Sequence, residues 1–160
     1  MRKPNGDSHS EQILPFAAAD QRGGILLEYV EEVHRACAIS RLPGASGIVE
    51  GIINIRGEIV PVIDLRARFG LAPRKLALND RLIIVQCRSR RIALRVDEVD
   101  PPGVIEMGAV AGRTDKLSKA LGVAGVVRLP DDLLLIYDAD AFLSCSEKDA
   151  LERALEERQT

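Results

Sequence analysis

The stretch Gly51–Gly70, GIINIRGEIVPVIDLRARFG, constrains the fold more than any other part of the chain. Ile52, Ile53 and Ile55 form one β-branched apolar run, and Ile59, Val60, Val62 and Ile63 form a second. Arg56-Gly57-Glu58 separates them, and two such runs around a glycine-containing break read as a hairpin. Pro61 has no N–H for a ladder bond, so the second strand is expected at a sheet edge or with a bulge at that point. Asp64 is suited to accept from the free N–H groups of a new helical turn. Leu65 and Phe69 then share a face, and Gly70 ends the turn. Arg56 stands out, because a hairpin turn needs only a small or flexible residue; it is either a solvated turn charge or a contact.

The rest of the chain reads as further short strands. Residues 1 to 11 are polar and aperiodic, a disordered leader. Ile13 to Ala19 form a strand, Asp20 to Gly24 a turn whose paired glycines permit positive φ, and Ile25 to Leu27 open a second strand. From Glu28 to Cys37 the pattern fits strand or helix. Leu42-Pro43-Gly44 is a turn. The segment after Gly70 is a connector closing at Asn79-Asp80. Leu82 to Val85 suits a strand buried on both faces. Ile92, Leu94 and Val96 alternate with Ala93, Arg95 and Asp97 as in a half-buried strand. Arg88, Arg90 and Arg91 flank Ser89, which reads as a solvated hairpin tip.

Pro101-Pro102-Gly103 interrupts the pattern before a short run, Val104 to Met107. A short helix fits Asp115 to Leu121. Val123 to Leu129 and Leu133 to Tyr137 form a hairpin, and Asp138 to Leu143 a helical turn. Ser146-Glu147-Lys148-Asp149 resembles a capping box, opening a terminal helix with Leu151, Ala154 and Leu155 on one face. About ten short strands with turn signals suit an all-β barrel architecture.

Composition narrows the function. A formal charge of −2 gives no basic footprint for nucleic acid or membrane. Five aromatic side chains and no Trp argue against a base-stacking platform. Cys37, Cys87 and Cys145 are odd in number and widely spaced, as in a reducing cytosol, and form neither a disulfide framework nor a zinc site. No stretch approaches the roughly 18 apolar residues of a membrane span. His9 and His34 are the only histidines, and the common nucleophile, metal and phosphate motifs are missing. Glu31-Glu32 and Asp131-Asp132 are adjacent, and strand neighbours face opposite ways, so neither is a ready acid/base couple. Neither catalysis nor a cofactor is expected.

Asn54-Ile55-Arg56-Gly57, Val60-Pro61-Val62-Ile63-Asp64-Leu65-Arg66 and Phe69-Gly70 resemble the signature of the CheW family of bacterial chemotaxis adaptors. Weaker matches are Val30-Glu31-Glu32-Val33, Arg41-Leu42-Pro43, Val96-Asp97-Glu98-Val99 and the LLLIYDADAFL run. The likeness covers roughly Ile13 to Leu143. It implies a mainly β fold of two packed five-stranded SH3-like barrels with short helices and a C-terminal helix. Residues 12–145 would then be one domain, with halves of roughly 12–80 and 81–145, followed by a helix over 146–160. The resemblance also favours strand over helix for Glu28 to Cys37, with a short helical turn near Leu26 to Val30.

The same resemblance implies a non-enzymatic scaffold. Its partners would be the cytoplasmic tip of a methyl-accepting chemoreceptor and the regulatory domain of a CheA-type histidine kinase, with cytoplasmic protein recruited to membrane receptor arrays. Receptor-binding positions carried over are Val30, Glu32, Arg56, Leu82 and Val99. Asn54, Gly57, Pro61 and Asp64 are the structural positions of the motif. The kinase surface is not assigned residue by residue. An adaptor of a non-flagellar chemosensory pathway and a barrel binding a small ligand are the alternative readings. The chain departs from the family pattern at Pro101-Pro102, at Gly108–Gly122 and at Ala17–Ala19.

Overall fold

The computed structural model describes residues 10–106, 110–111, 123–128 and 133–159. The strands are β1 (Ser10–Ala18), β2 (Gln21–Leu26), β3 (Val30–Arg35), β4 (Val49–Ile55), β5 (Glu58–Asp64), β6 (Arg81–Gln86) and β7 (Arg91–Val96). β8 (Glu98–Val99), β9 (Gly103–Glu106), β10 (Val110–Ala111), β11 (Val123–Arg128) and β12 (Leu133–Tyr137) follow. Helices α1 (Leu65–Arg68) and α2 (Cys145–Gln159) and 3₁₀ turns at Leu27–Tyr29 and Ala139–Ala141 complete the described elements.

The fold is mainly β, in the expected SH3-like arrangement of two sheets. One has five strands in the order β3-β6-β7-β5-β4. The other has seven, β10-β11-β12-β2-β1-β8, with β9 also on β1. The halves are therefore nested. β3 to β7 form one sheet, and the first two strands join the last five in the other, so a boundary near residue 80 would cut between β5 and β6 of a single sheet.

Alternation along the strands sorts side chains into three cores. Ile53, Val60, Val62, Leu82, Ile84 and Ala93 fill one face of the five-stranded sheet. Ile13, Ile105, Val127, Leu134 and Ile136 fill one face of the other. Between the sheets, Phe16, Ile63, Leu94, Tyr137 and Phe142 pack with Leu151 of α2. This explains why β7 is not half-buried as its alternation suggests: Leu94 and Ala93 enter different cores, and both are buried.

Several local expectations change. β1 already includes Ser10 and Glu11, which pair with Glu106 and Ile105, so these two residues are strand and not leader; residues 1–9 of the expected leader lie outside the described residues. The turn after β1 is Ala19-Asp20, and Gly23 and Gly24 lie within β2. Gly23 is required by packing, since a Cβ there would sit 2.5 Å from the Tyr137 ring. β5 is an interior strand, flanked by β4 and β7. Pro61 is tolerated because the parallel ladder to β7 begins at Val62, and the bulge lies on β4, between Val49 and Gly51. The expected helix around Asp115 to Leu121 lies outside the described residues.

The chain beyond β3 returns to β4 through reciprocal backbone bonds between Ser40 and Ile52, at 2.9 and 2.7 Å. Gly51 permits this approach; a Cβ would lie 2.1 Å from the Ser40 carbonyl oxygen. The two edge strands of the five-stranded sheet are thereby drawn together, and their open end forms the site described next.

Candidate functional site

The β4–β5 connection is a two-residue turn in which Arg56 (φ 50°) and Gly57 (φ 87°) are both left-handed. That geometry matches the right-handed twist of the flanking strands. The Asn54 side-chain oxygen accepts from the Gly57 N–H at 2.8 Å and fixes the turn. At the end of β5, Asp64 caps α1 by accepting from the Arg66 N–H at 3.0 Å. Asn54, Gly57 and Asp64 thus have the structural parts expected of them.

A left-handed conformation costs an arginine about 1 kcal/mol. Its guanidinium extends from the turn with 73% of the side chain exposed and forms a two-pronged pair with Glu32 of β3. Glu32 also meets His34 Nε2 at 3.2 Å. The hydrogen bond from Arg56 is the main reason the Glu32 carboxyl lies below its usual range; partial burial opposes it.

The register of β3 on β6 shifts between Val30 and Glu32. A bulge of this kind breaks strict alternation, and Glu31 and Glu32 both reach the same opening, contrary to the opposite faces expected of them. Arg91 of β7 pairs there with Glu31 and with Glu58. Ile55 and Ile84 form the apolar floor of this recess of about 210 Å³. Each carboxylate is engaged by an arginine, so the arrangement is an ordered charged rim.

Of the positions carried over from the family, the structure brings Glu32 and Arg56 together. Val30 opens β3 and packs, partly buried, on the inter-sheet core. Val99 packs on the same core from β8, opposite Phe16. Leu82 is fully buried among the side chains of the five-stranded sheet and presents no contact surface, a correction to its assignment as a binding residue. Sequence places Arg91 only in the arginine cluster and Glu58 only in the hairpin break, because their meeting depends on the parallel pairing of β5 with β7. The arginine cluster is likewise more than a solvated tip, since Arg90 pairs with Glu152 of α2.

Among the described residues, no group of three or more His, Cys, Asp and Glu side chains could hold a metal ion, and no helix is long and apolar enough to cross a membrane.

A nested pair of SH3-like sheets with an arginine-tipped hairpin defines an interaction domain, and comparison with known proteins specifies which. The CheW-like domain family matches residues 12–147. Chemotaxis protein CheW of Bacillus subtilis is 27% identical over 135 residues, covering 83% of this chain and 86% of its own. Chemotaxis protein CheW of Rhizobium meliloti is 23% identical over 141 residues, covering 87% and 91%. The crystal structure of scaffolding protein TtCheW from Thermoanaerobacter tengcongensis superposes with a TM-score of 0.75 at 28% identity, covering 87% of this chain and 96% of that one. The chain belongs to the CheW-like family of chemotaxis scaffold proteins.

Proposed function

We propose that this chain is a non-enzymatic adaptor joining the cytoplasmic tip of a chemoreceptor to the regulatory domain of a CheA-type kinase. It would work in the cytoplasm, recruited to membrane receptor arrays. One observation supports the receptor half of this reading above others. Arg56 occupies a turn position where asparagine or glycine would be less strained, yet its guanidinium is held outward by Glu32. A strained, ordered and exposed arginine on an apolar base has the attributes of an interface hot spot. Val30 and Val99, half-buried on the inter-sheet core, complete the receptor-contact proposal.

Titration of wild type and Arg56→Ala against a receptor-tip helical bundle tests it. The substitution should weaken binding by about 2 kcal/mol, roughly thirtyfold. The melting temperature should hardly move, because exposed ion pairs contribute little to folding. Equal affinities would make Arg56 a solvated turn residue.

A further inference from the structure

A second cavity lies where the β6–β7 turn, the 3₁₀ turn at Ala139–Ala141 and α2 converge. It has a volume of about 320 Å³, within the range of small-ligand sites. Its floor is apolar: Ile92, Ala139, Leu143 and Leu151, all buried side chains of the inter-sheet core. The Cys87 thiol closes one wall and donates to the Ala139 carbonyl at 3.1 Å. Burial pushes that thiol up to about 12, so it remains protonated and serves as wall, not nucleophile.

The rim carries the selectivity. Arg90 is neutralised by Glu152 through two hydrogen bonds of 2.9 and 2.7 Å. Asp140 accepts from the Arg88 backbone N–H at 2.7 Å. The side chains of Arg88 and Lys148, both exposed, have no ion-pair partner among the described residues. Arg88, Arg90 and Lys148 face Asp140 and Glu152 across this lining, so it carries one net positive charge, with the unpaired Arg88 and Lys148 standing over an apolar floor. No aromatic side chain is in this lining, since Phe16, Phe69, Tyr137 and Phe142 cluster with one another in the core, so nothing here stacks a nucleobase.

We propose that this cavity binds a small amphipathic anion, its apolar body on Ile92, Leu143 and Leu151 and its acidic head between Arg88 and Lys148. The ligand would bridge α2 to the β6–β7 turn. The proposal is independent of receptor binding at Arg56, which is measured with a different partner.

Methyl NMR of the full chain, titrated separately with octanoate, octyl phosphate, octylamine and octanol, tests it. Octanoate or octyl phosphate should shift the Ile92, Leu143 and Leu151 methyls saturably while Ile53 and Ile84 stay in place. The stronger of the two identifies the head group as carboxylate or phosphate. Octanol and octylamine should bind about tenfold more weakly, the worth of two exposed charge contacts. The exposed double substitution Arg88→Glu with Lys148→Glu should preserve the melting curve and invert the preference towards octylamine. Equal binding of octanol and octanoate, an unchanged preference in the double variant, or unmoved cavity methyls would each overturn the proposal.

Discussion

Arg56 and Gly57 share a turn but respond to different forces. Gly57 sits at φ 87° with no heavy atom within 4 Å of where a Cβ would be, so conformational strain alone requires it. Gly57→Val should cost about 1 kcal/mol or more, and an unchanged melting temperature would mean the turn tolerates a side chain. Arg95 poses a sharper case. Alternation assigns it to the polar face of β7, yet it is only 4% exposed because the 71–80 connector covers that face. It donates to Asp80 at 3.3 Å, to Glu50 at 2.9 Å and to the Arg74 carbonyl at 2.6 Å. Asp80, 2% exposed, would lose part of its compensation if Arg95 were removed. Arg95→Ala should cost about 3 kcal/mol, read by chemical denaturation; a loss below ~1 kcal/mol would show that Arg74 alone suffices.

At the scale of elements, α2 is held at its start and along one side. The capping box is Ser144 with Glu147, two residues before the Ser146–Asp149 pattern. The Ser144 N–H donates to Glu147 Oε1 at 2.7 Å, and the Glu147 N–H donates to Ser144 Oγ at 3.2 Å. Arg68 of α1 also pairs with Glu147 at 3.4 Å, so the helix start is tied to the central motif. Leu151, Ala154 and Leu155 then pack against the inter-sheet core. Ser144→Ala should destabilise the protein by about 1 kcal/mol. Hydrogen exchange should locate the effect in the first turn of α2; protection unchanged there would show that packing alone sets where the helix begins.

Across the whole molecule, Asp97 links the two sheets. It follows β7 and accepts from the Ala19 N–H of the β1–β2 turn at 2.8 Å. It also accepts from Arg66 at 2.7 Å and from Arg74 at 2.8 Å. Burial alone would raise its carboxyl, but the bonds from Arg66, Ala19 and Arg74 outweigh it and hold the group at about 2. An unfolded aspartate titrates near 4, so the link contributes on the order of 1 kcal/mol above that pH once solvent screening is taken into account. The contribution is lost as pH falls from about 4 through 2, because the folded state then takes up its proton last. Denaturation of wild type and Asp97→Asn between pH 7 and 2 should show the variant losing less stability on acidification; parallel profiles would assign acid sensitivity to other groups.

Local chemistry in the sequence was enough to determine the β4–β5 hairpin, the Asp64 cap, the helical turn after β12 and the apolar face of α2. Each depends on residues within one turn or one strand of each other. The family resemblance likewise pointed to Arg56, in the signature segment, and to Glu32, in the weaker match at residues 30–33, before any coordinates placed them. Only the tertiary structure decided that residues 10–26 join the chain's second half, since strand exchange between sheets leaves no local pattern. The interior place of Leu82 was already legible in the apolar run Leu82 to Val85, but the tertiary structure alone decided that Glu31 and Glu32 share one opening and that Arg95 is covered. Those outcomes depend on a bulge, a parallel register and a loop laid across a strand, where distant backbone overrides the period-two rule that a strand obeys by itself.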